Sequence, residues 1–394
     1  MKCWWREMFY YRYRSGSELS IKELIYDELY FASKTECNDP YEGKIFAIFE
    51  KNEDAWNNLI RLALKDNPIL SNATEYLVEK IVSFYIDRSP ILFEEFINTS
   101  EDDFLSIGKD LFEKTILKNM LAVITRYALA YMPEERYFAS FSRKRDINLM
   151  WAHYANNHRG FCLIFRPING KIRQNKHWQK SPMHFQTPYF LSPEISIFVP
   201  DFFEIRDIEY VQEPKFSDGF TYFPEAVIGK VFSQDQIKDI LNDREKIYLQ
   251  KHSVWEYEEE SRVILQSGHS WLVEQQLSLS PHQRLIHYDP IHLAGIIVGV
   301  NMPKDQRSKI EEIMAEKSRR QVESLEAETV TFDVVLFEEK LSPINRTVEI
   351  VPYRIYNEIR QIDKTDKDFG EHLKKWEEGY AVKYTDSIEE IQLV

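Results

Sequence analysis

Two arginines near the start of the chain could bind an anion. They alternate with tyrosines in Tyr11-Arg12-Tyr13-Arg14, and the period of two along a strand places Arg12 and Arg14 on one face. A guanidinium binds phosphate through a planar fork of donors. The pair therefore predicts a phosphate site, with neutralisation of a buried carboxylate cluster as the structural alternative.

A second group of charged residues lies in the segment WEYEEESR at 255–262. If this segment is a strand, Glu258, Glu260 and Arg262 share one face. Neighbouring carboxylates repel, so the pattern favours compensation by an arginine, a substrate cation or a shared proton, and it predicts perturbed pKa values. A solvated strand face is the alternative interpretation.

The segment FASFS at 138–142 brings two hydroxyl groups to one strand face, because Ser140 and Ser142 are two residues apart. Tyr154, which follows shortly afterwards, is a further candidate substrate-binding residue.

Two histidines follow the serines. His153 and His158 are five residues apart, which does not suit metal binding from one helix, and no HExxH motif occurs, so no metal is expected. We expect His153 to be at least half buried beside Trp151 or Tyr154 and hydrogen-bonded, a setting in which it could also act as an acid or base.

The hydrophobic periodicity predicts the elements that position these residues. It indicates an α+β protein with one mainly antiparallel, curved sheet, flanking helices and a helical insertion at about 54–132. Residues 1–351 are expected to form a single domain, and 352–394 a charged C-terminal appendix. The predicted strands are 9–14, 29–33, 137–142, 160–165, 205–212, 258–265, 293–300, 329–337 and 347–351, and the predicted helices include 17–28, 146–157, 234–252 and 303–319.

Composition excludes several classes of protein. A net charge of −14 disfavours sequence-independent electrostatic binding to nucleic acid. Three cysteines without a CxxC pair fit a reducing compartment, and neither a signal peptide nor a run of about 18 apolar residues is visible. We therefore expect a cytoplasmic protein without a membrane segment. Phosphate-loop, dinucleotide-binding and nucleophile-elbow motifs are absent.

Several segments occur in an order that resembles a bacterial family, domain of unknown function 2971. They are YRYRS (11–15), LYFAS with NDPYE (29–42), SFS (140–142), NLMWAHYANNHRGFCLIF (148–165), K-x-x-x-W-x-Y-E-x-E-x-R (251–262) and IIVGVNM (296–302). The resemblance covers most of residues 9–351. It implies an organisation of the chain but no activity.

The chain also resembles ADP-ribosyltransferases of the arginine–serine–glutamate type. The matching residues are Arg12 or Arg14, then Ser140 and Ser142 after Phe138, then Glu258 and Glu260. The interval between the arginines and the serines is longer than in that family.

This second resemblance implies that NAD is a substrate. An arginine would bind its pyrophosphate, and the serines would hold the nicotinamide ribose. Glu260 would stabilise the oxocarbenium ion, and Glu258 would orient or activate the acceptor. The favoured prediction is thus an NAD-consuming enzyme of bacterial antiphage defence or toxin type, with the protein or nucleic-acid acceptor and the oligomeric state left open.

Two alternatives stay open. The first is a nuclease or phosphodiesterase with His153 as general base and Arg14 or Arg262 on the phosphate. The second is a non-enzymatic binding module of a bacterial defence system, in which the polar residues form an internal network.

Overall fold

A nine-stranded sheet forms the centre of the protein. The computed structural model describes residues 9–44, 46–65, 75–133, 135–175, 177–178, 183–185, 195–197, 199–266, 269–270, 275–276, 278–320, 330–331, 333–357, 360–383 and 389–392. The sheet strands are β1 (Tyr10–Arg14), β2 (Arg136–Ser142), β3 (Phe161–Phe165), β4 (Arg206–Asp207), β5 (Glu260–Gln266), β6 (Leu293–Val298), β7 (Val334–Leu341), β8 (Val348–Tyr356) and β9 (Gln361–Asp363).

The strand order is β4-β5-β2-β1-β3-β6-β7-β8-β9. Every neighbouring pair is antiparallel except β6 and β7, which are parallel. The expected mainly antiparallel sheet of an α+β protein is therefore present.

Both faces of the sheet are covered by apolar side chains. In β3, Phe161, Leu163 and Phe165 belong to one buried cluster, whereas Cys162 and Ile164 belong to another on the opposite face. A strand covered on both sides needs apolar residues at every position. This explains why β3 and β6 are continuous apolar runs in the sequence.

Eleven α-helices lie in the described part of the chain. They are α1 (Glu18–Tyr26), α2 (Glu53–Leu64), α3 (Glu75–Arg88), α4 (Phe93–Ile97), α5 (Glu101–Leu105), α6 (Leu111–Ala130), α7 (Asn148–Tyr154), α8 (Glu225–Ile228), α9 (Gln234–Lys246), α10 (Lys304–Arg320) and α11 (Phe369–Glu378). Side-chain caps fix several starts, such as Ser17 before α1 and Asp110 before α6. None of the helices in the described residues is long and apolar enough to cross a membrane.

Helices α2 to α6 form the predicted insertion and lie outside the large sheet. They have their own aromatic core, in which Trp56 stacks on Tyr85 at a centroid distance of 4.8 Å and lies against Phe96. Phe220 and Phe223 from a later part of the chain complete this core.

Several predicted sheet segments pair elsewhere. Short strands outside the large sheet are Glu28–Tyr30 with Leu285–His287, Ala47–Phe49 with Ile91–Leu92 and Ser217–Asp218, Lys171–Arg173 with Phe202–Glu204, Glu209–Val211 with Gln250–His252, Met183–Phe185 with Ile195–Ile197, His269–Ser270 with Gln275–Gln276, and Val330–Thr331 with Tyr380–Lys383 and Glu389–Gln392. The placement of the predicted strand 29–33 in the large sheet was therefore wrong for its first residues, and only Ala32 reaches that sheet, through a single bridge to Phe138. Only the first part of 205–212 joins it, because the next strand pairs with the segment after α9.

The C-terminal residues contribute to the core. β8 runs across the boundary expected at 351, and β9 then forms the edge of the sheet. In α11, Trp376 is buried, stacks on Phe9 at a centroid distance of 4.6 Å and donates from Nε1 to the carbonyl of Ala294 at 2.8 Å. Residues 329, 332, 358–359, 384–388 and 393–394, which belong to the last predicted strands and to the expected appendix, lie outside the described residues.

Candidate functional site

Strands β1 and β2 separate to leave a fork in the sheet. β1 pairs with β3 along all five of its residues, but its pairing with β2 is the single register pair Tyr11 and Ser142. Further along β2, Phe138 exchanges backbone hydrogen bonds with Ala32 instead. The gap between these two pairings lies beside Ser140.

Arg12 fills the apex of the fork. Its Nη1 donates to the carbonyl of Ser140 at 3.1 Å, and its Nη2 donates to the carbonyl of Tyr30 at 2.9 Å. The side chain is 7% exposed, its Nε has no partner, and no ion pair to it occurs within the described residues. Burial, with Arg14 nearby, lowers the pKa of Arg12 to about 10. Among the described residues no carboxylate forms an ion pair with this buried charge, although Glu23 stabilises it from a distance.

Arg14 lies on the same sheet face but is half-buried and ion-paired. Its Nη2 bonds the carboxylate of Glu23 in α1. The Nε of Arg14 and the second oxygen of Glu23 are buried without partners. Gly160 permits this part of β1 to pack closely, because a Cβ there would lie 2.0 Å from the carbonyl oxygen of Arg14. We call Arg12, Arg14 and Glu23 the arginine end.

Opposite the arginine end lies a group of buried carboxylates and cations. Lys251 is at its centre, with Nζ 2.6 Å from Glu258 Oε2, 2.8 Å from Glu260 Oε2 and 3.5 Å from Glu42 Oε1. Burial alone would lower the pKa of Lys251, but Glu260 and Glu258 raise it above its ordinary value. We call Glu42, Lys251, Glu258, Glu260 and Arg262 the carboxylate cluster.

Glu260 is engaged by cations on both oxygens. Arg262 donates from Nε to Oε1 at 2.6 Å and from Nη2 to Oε2 at 3.0 Å, while Lys251 also bonds Oε2. Burial raises the pKa of Glu260, against the opposing effects of Lys251 and the Ser140 side chain. Arg262, which is 1% exposed, also pairs with Glu42 and has a pKa lowered to about 10 by burial. Glu260 and Arg262 thus neutralise each other.

Glu258 is not on the strand where the sequence placed it. Ser253–Glu258 forms a 3₁₀ helix, and Glu259 has a left-handed backbone at φ 40°, so β5 begins only at Glu260. The expected shared strand face was wrong for Glu258. Its carboxylate reaches the cluster from this turn, where Oε1 accepts from the hydroxyl of Tyr154 at 2.6 Å and Oε2 from Lys251. Burial, with Glu258, raises the pKa of Tyr154 and keeps the hydroxyl a donor.

A cavity of about 340 Å³ extends between the arginine end and the carboxylate cluster. We call it the fork cavity. It brings together seven residues proposed from the sequence, namely Arg12, Arg14, Ser140, Ser142, Tyr154, Glu258 and Glu260, and it is also lined by Glu42 and Lys251.

The fork cavity is electrically polarised. With every group ionised, three carboxylates and two cations leave the carboxylate cluster with one excess negative charge. Two arginines and one carboxylate leave the arginine end with one excess positive charge. Glu36, which also lines the cavity, is paired with Arg284. In a partly buried cavity such charges are weakly screened. A ligand with an anionic and a cationic part would match both ends.

The two serine side chains differ in exposure and in hydrogen bonding. Ser140 is exposed and lines the fork cavity. Ser142 is buried, and its Oγ donates to the carbonyl of Glu258 at 2.6 Å and accepts from the backbone N–H of Lys144 at 3.0 Å. Ser142 therefore fixes the position of Glu258, whereas the exposed Ser140 contacts Glu260 from the wall of the fork cavity.

His153 and Arg262 do not line the fork cavity. The prediction of a buried, hydrogen-bonded His153 was wrong, since α7 presents this side chain to solvent with its ring edge-on to Tyr154 at 6.4 Å. Arg262 lines an adjoining cavity of about 360 Å³ on the other side of Lys251 and Glu42.

Sequence reasoning missed two residues of the carboxylate cluster. Lys251 lies seven residues before Glu258 and nine before Glu260, so a lone lysine upstream of two carboxylates was a usable signal. Glu42 follows a turn-forming Asn-Asp-Pro segment and gave no such signal. No group of three or more potential metal ligands occurs among the described residues.

Comparison with known proteins gives one similarity. A family model described as a protein of unknown function (DUF2971) matches residues 150–263. The matched region contains Tyr154, Lys251, Glu258, Glu260 and Arg262, whereas the arginine end, Glu42 and the serines precede it. No curated protein and no solved structure matches the chain.

Proposed function

We propose that the fork cavity binds oxidised NAD and that the protein cleaves its nicotinamide–ribose bond, in the manner of an ADP-ribosyltransferase. The observation that carries this proposal is the polarity of the cavity. The pyrophosphate of NAD is anionic and its oxidised nicotinamide ring is cationic, so one molecule presents the charges that the two ends of the cavity complement. The volume falls within the usual range for ligand sites.

The arginine end is suited to the pyrophosphate. The Nε of Arg12 and the Nε of Arg14 are buried donors without partners, and an unpartnered buried donor is costly until a ligand accepts from it. Arg12 would bind an anion without breaking an ion pair among the described residues, whereas Arg14 would interact with both the anion and Glu23. Ser140 lies between the ends and could hydrogen-bond a ribose hydroxyl.

Glu258 is the better candidate for acting on the reacting carbon. One of its oxygens accepts from the neutral hydroxyl of Tyr154 and the other from Lys251. Glu260, by contrast, is bound by both Arg262 and Lys251. Glu258 thus retains more negative charge toward the cavity. A carboxylate that is already fixed in place stabilises the positive charge that develops in the transition state. Such electrostatic preorganisation is usually the largest single contribution to lowering the activation barrier.

In the proposed reaction, the bond between ribose C1′ and the nicotinamide nitrogen breaks, and its electron pair leaves with the ring, which becomes neutral. The carbon is left as an oxocarbenium ion, which Glu258 stabilises. An O–H or N–H nucleophile of water or of an acceptor then bonds to C1′, and its proton passes to Glu258.

The test incubates the full chain with NAD and measures nicotinamide release by chromatography. Glu258→Gln should lower turnover by about 100-fold and leave NAD affinity nearly unchanged, because the effect lies in the transition state. Arg12→Gln should weaken NAD binding by about tenfold. Glu256→Gln and Arg159→Gln change exposed residues of the same types and serve as matched controls.

The two main outcomes separate the candidate functions. Absence of NAD binding by the wild-type protein would overturn the proposal. Binding without release of nicotinamide would favour a non-enzymatic nucleotide-binding module, and the closed ion pairs around Glu260 are the observation that favours this second candidate. His153, the general base in the nuclease or phosphodiesterase hypothesis, does not line the fork cavity, so that hypothesis has less support.

A further inference from the structure

A second cavity lies between the helical insertion and the sheet. It has a volume of about 450 Å³ and is formed by the end of α6, the start of β2 and one side of α9. The side chains that matter here are Tyr131, Arg136, Tyr222, Arg244 and Tyr248. We call it the seam cavity. Both cavities adjoin β2 at different positions, because Arg136 lines the seam cavity and Phe138, two residues later, lines the fork cavity.

Two arginines of the seam cavity form no ion pair with a carboxylate in the part of the chain that the structure describes. The side chain of Arg136 makes no hydrogen bond or ion pair within the described residues, and the side chain of Arg244 donates to a backbone carbonyl, that of Thr221. The Nε of each arginine is buried without a partner. The one carboxylate among the residues lining this cavity, Glu245, accepts from Arg206 at 2.7 Å.

Each of these arginines is held by a tyrosine ring. The guanidinium of Arg136 lies 5.1 Å from the ring centre of Tyr248, and that of Arg244 lies 4.2 Å from the ring centre of Tyr222. Contact with an aromatic face orients a guanidinium without neutralising it, and leaves its edge free to donate. In a protein of net charge −14, two oriented and uncompensated arginines at one cavity indicate a site for an anion.

We propose that the seam cavity binds a nucleoside 5′-monophosphate, with the phosphate on Arg136 and Arg244. Arginine edges match the oxygens of a phosphate, and Tyr131 supplies an aromatic ring in the same cavity. A neighbouring cavity of about 290 Å³ shares Arg136, Glu245 and Tyr248 and extends the available space toward Ile264. This site uses no residue of the fork cavity.

The proposal is tested by isothermal titration calorimetry of the full chain with AMP, adenosine and inorganic phosphate. AMP should bind at least tenfold more tightly than either of its parts. The double variant Arg136→Gln/Arg244→Gln should weaken AMP binding by at least tenfold. Arg12→Gln, at the fork cavity, and Arg159→Gln, at an exposed arginine, should both retain it.

Three results would overturn the proposal. They are absence of AMP binding, AMP affinity that survives in the double variant, and inorganic phosphate binding as tightly as AMP. Circular dichroism and the melting temperature establish that the variant is folded. If the double variant does not fold, Arg136→Gln carries the test, because this side chain has no hydrogen bond to lose. Release of nicotinamide from NAD is measured separately, so the failure of either proposal does not entail the failure of the other.

Discussion

Each end of the fork cavity includes a buried arginine, and the two arginines are stabilised in different ways. Burial lowers the pKa of both Arg12 and Arg262 to about 10. Arg262 is bound by the carboxylates of Glu260 and Glu42, whereas Arg12 is held by two backbone carbonyls. An arginine bound by carboxylates is satisfied within the fold. An arginine held only by carbonyl dipoles keeps its net charge for a ligand.

Stability should therefore depend on the two arginines unequally. Arg262→Met leaves Glu260 and Glu42 without their main cation and should lower the free energy of unfolding by about 3–5 kcal/mol. Arg12→Met leaves two backbone carbonyls without a donor but leaves no carboxylate without its cation, so it should lower the free energy of unfolding by about 1–2 kcal/mol. Urea denaturation measures both, with Arg159→Met as the exposed control. Equal losses would remove the distinction between the two ends.

A smaller effect is expected for Glu260→Gln, because the amide keeps the shape of the side chain and part of its hydrogen bonding. The free energy of unfolding should fall by about 1.5–3 kcal/mol, the range for hydrogen bonds to charged groups. Glu256 lies in the 3₁₀ helix before β5 and is exposed, so Glu256→Gln should change the free energy of unfolding by less than about 0.5 kcal/mol. If Glu260→Gln instead left stability intact and removed NAD cleavage, Glu260 rather than Glu258 would be the reacting carboxylate.

The smallest expected effect concerns pH. Since the pKa of Arg12 is lowered only to about 10, its charge and the affinity for NAD should stay constant between about pH 6 and 8.5. As the pH rises through the pKa, the unliganded protein loses this proton, and the affinity should fall about twofold by pH 10. Calorimetry over this range is the measurement, with the fold checked by circular dichroism. Arg12→Gln should remove the change, and an unchanged wild-type affinity at pH 10 would show that Arg12 keeps its proton at that pH.

The sequence was sufficient for the properties that depend on local periodicity. Alternation in β1 placed Tyr11 and Tyr13 in a buried cluster on one face and the arginines on the other. Continuous apolar runs identified β3 and β6, and helical spacing identified the insertion. These patterns are visible in a single sequence because burial on one or both faces imposes them residue by residue.

Only the tertiary structure determined which charged groups meet. Arg262 and Glu42 are far apart in the sequence, and no periodicity links them. The left-handed Glu259 ended the 3₁₀ turn before β5, so Glu258 reaches Lys251 from outside the strand. The fork between β1 and β2, which makes the cavity, depends on Ala32 pairing with Phe138 in place of β1. The periodicity of a sequence predicts which face of a strand a residue occupies. Which residue it contacts on that face depends on how distant segments of the chain pack together.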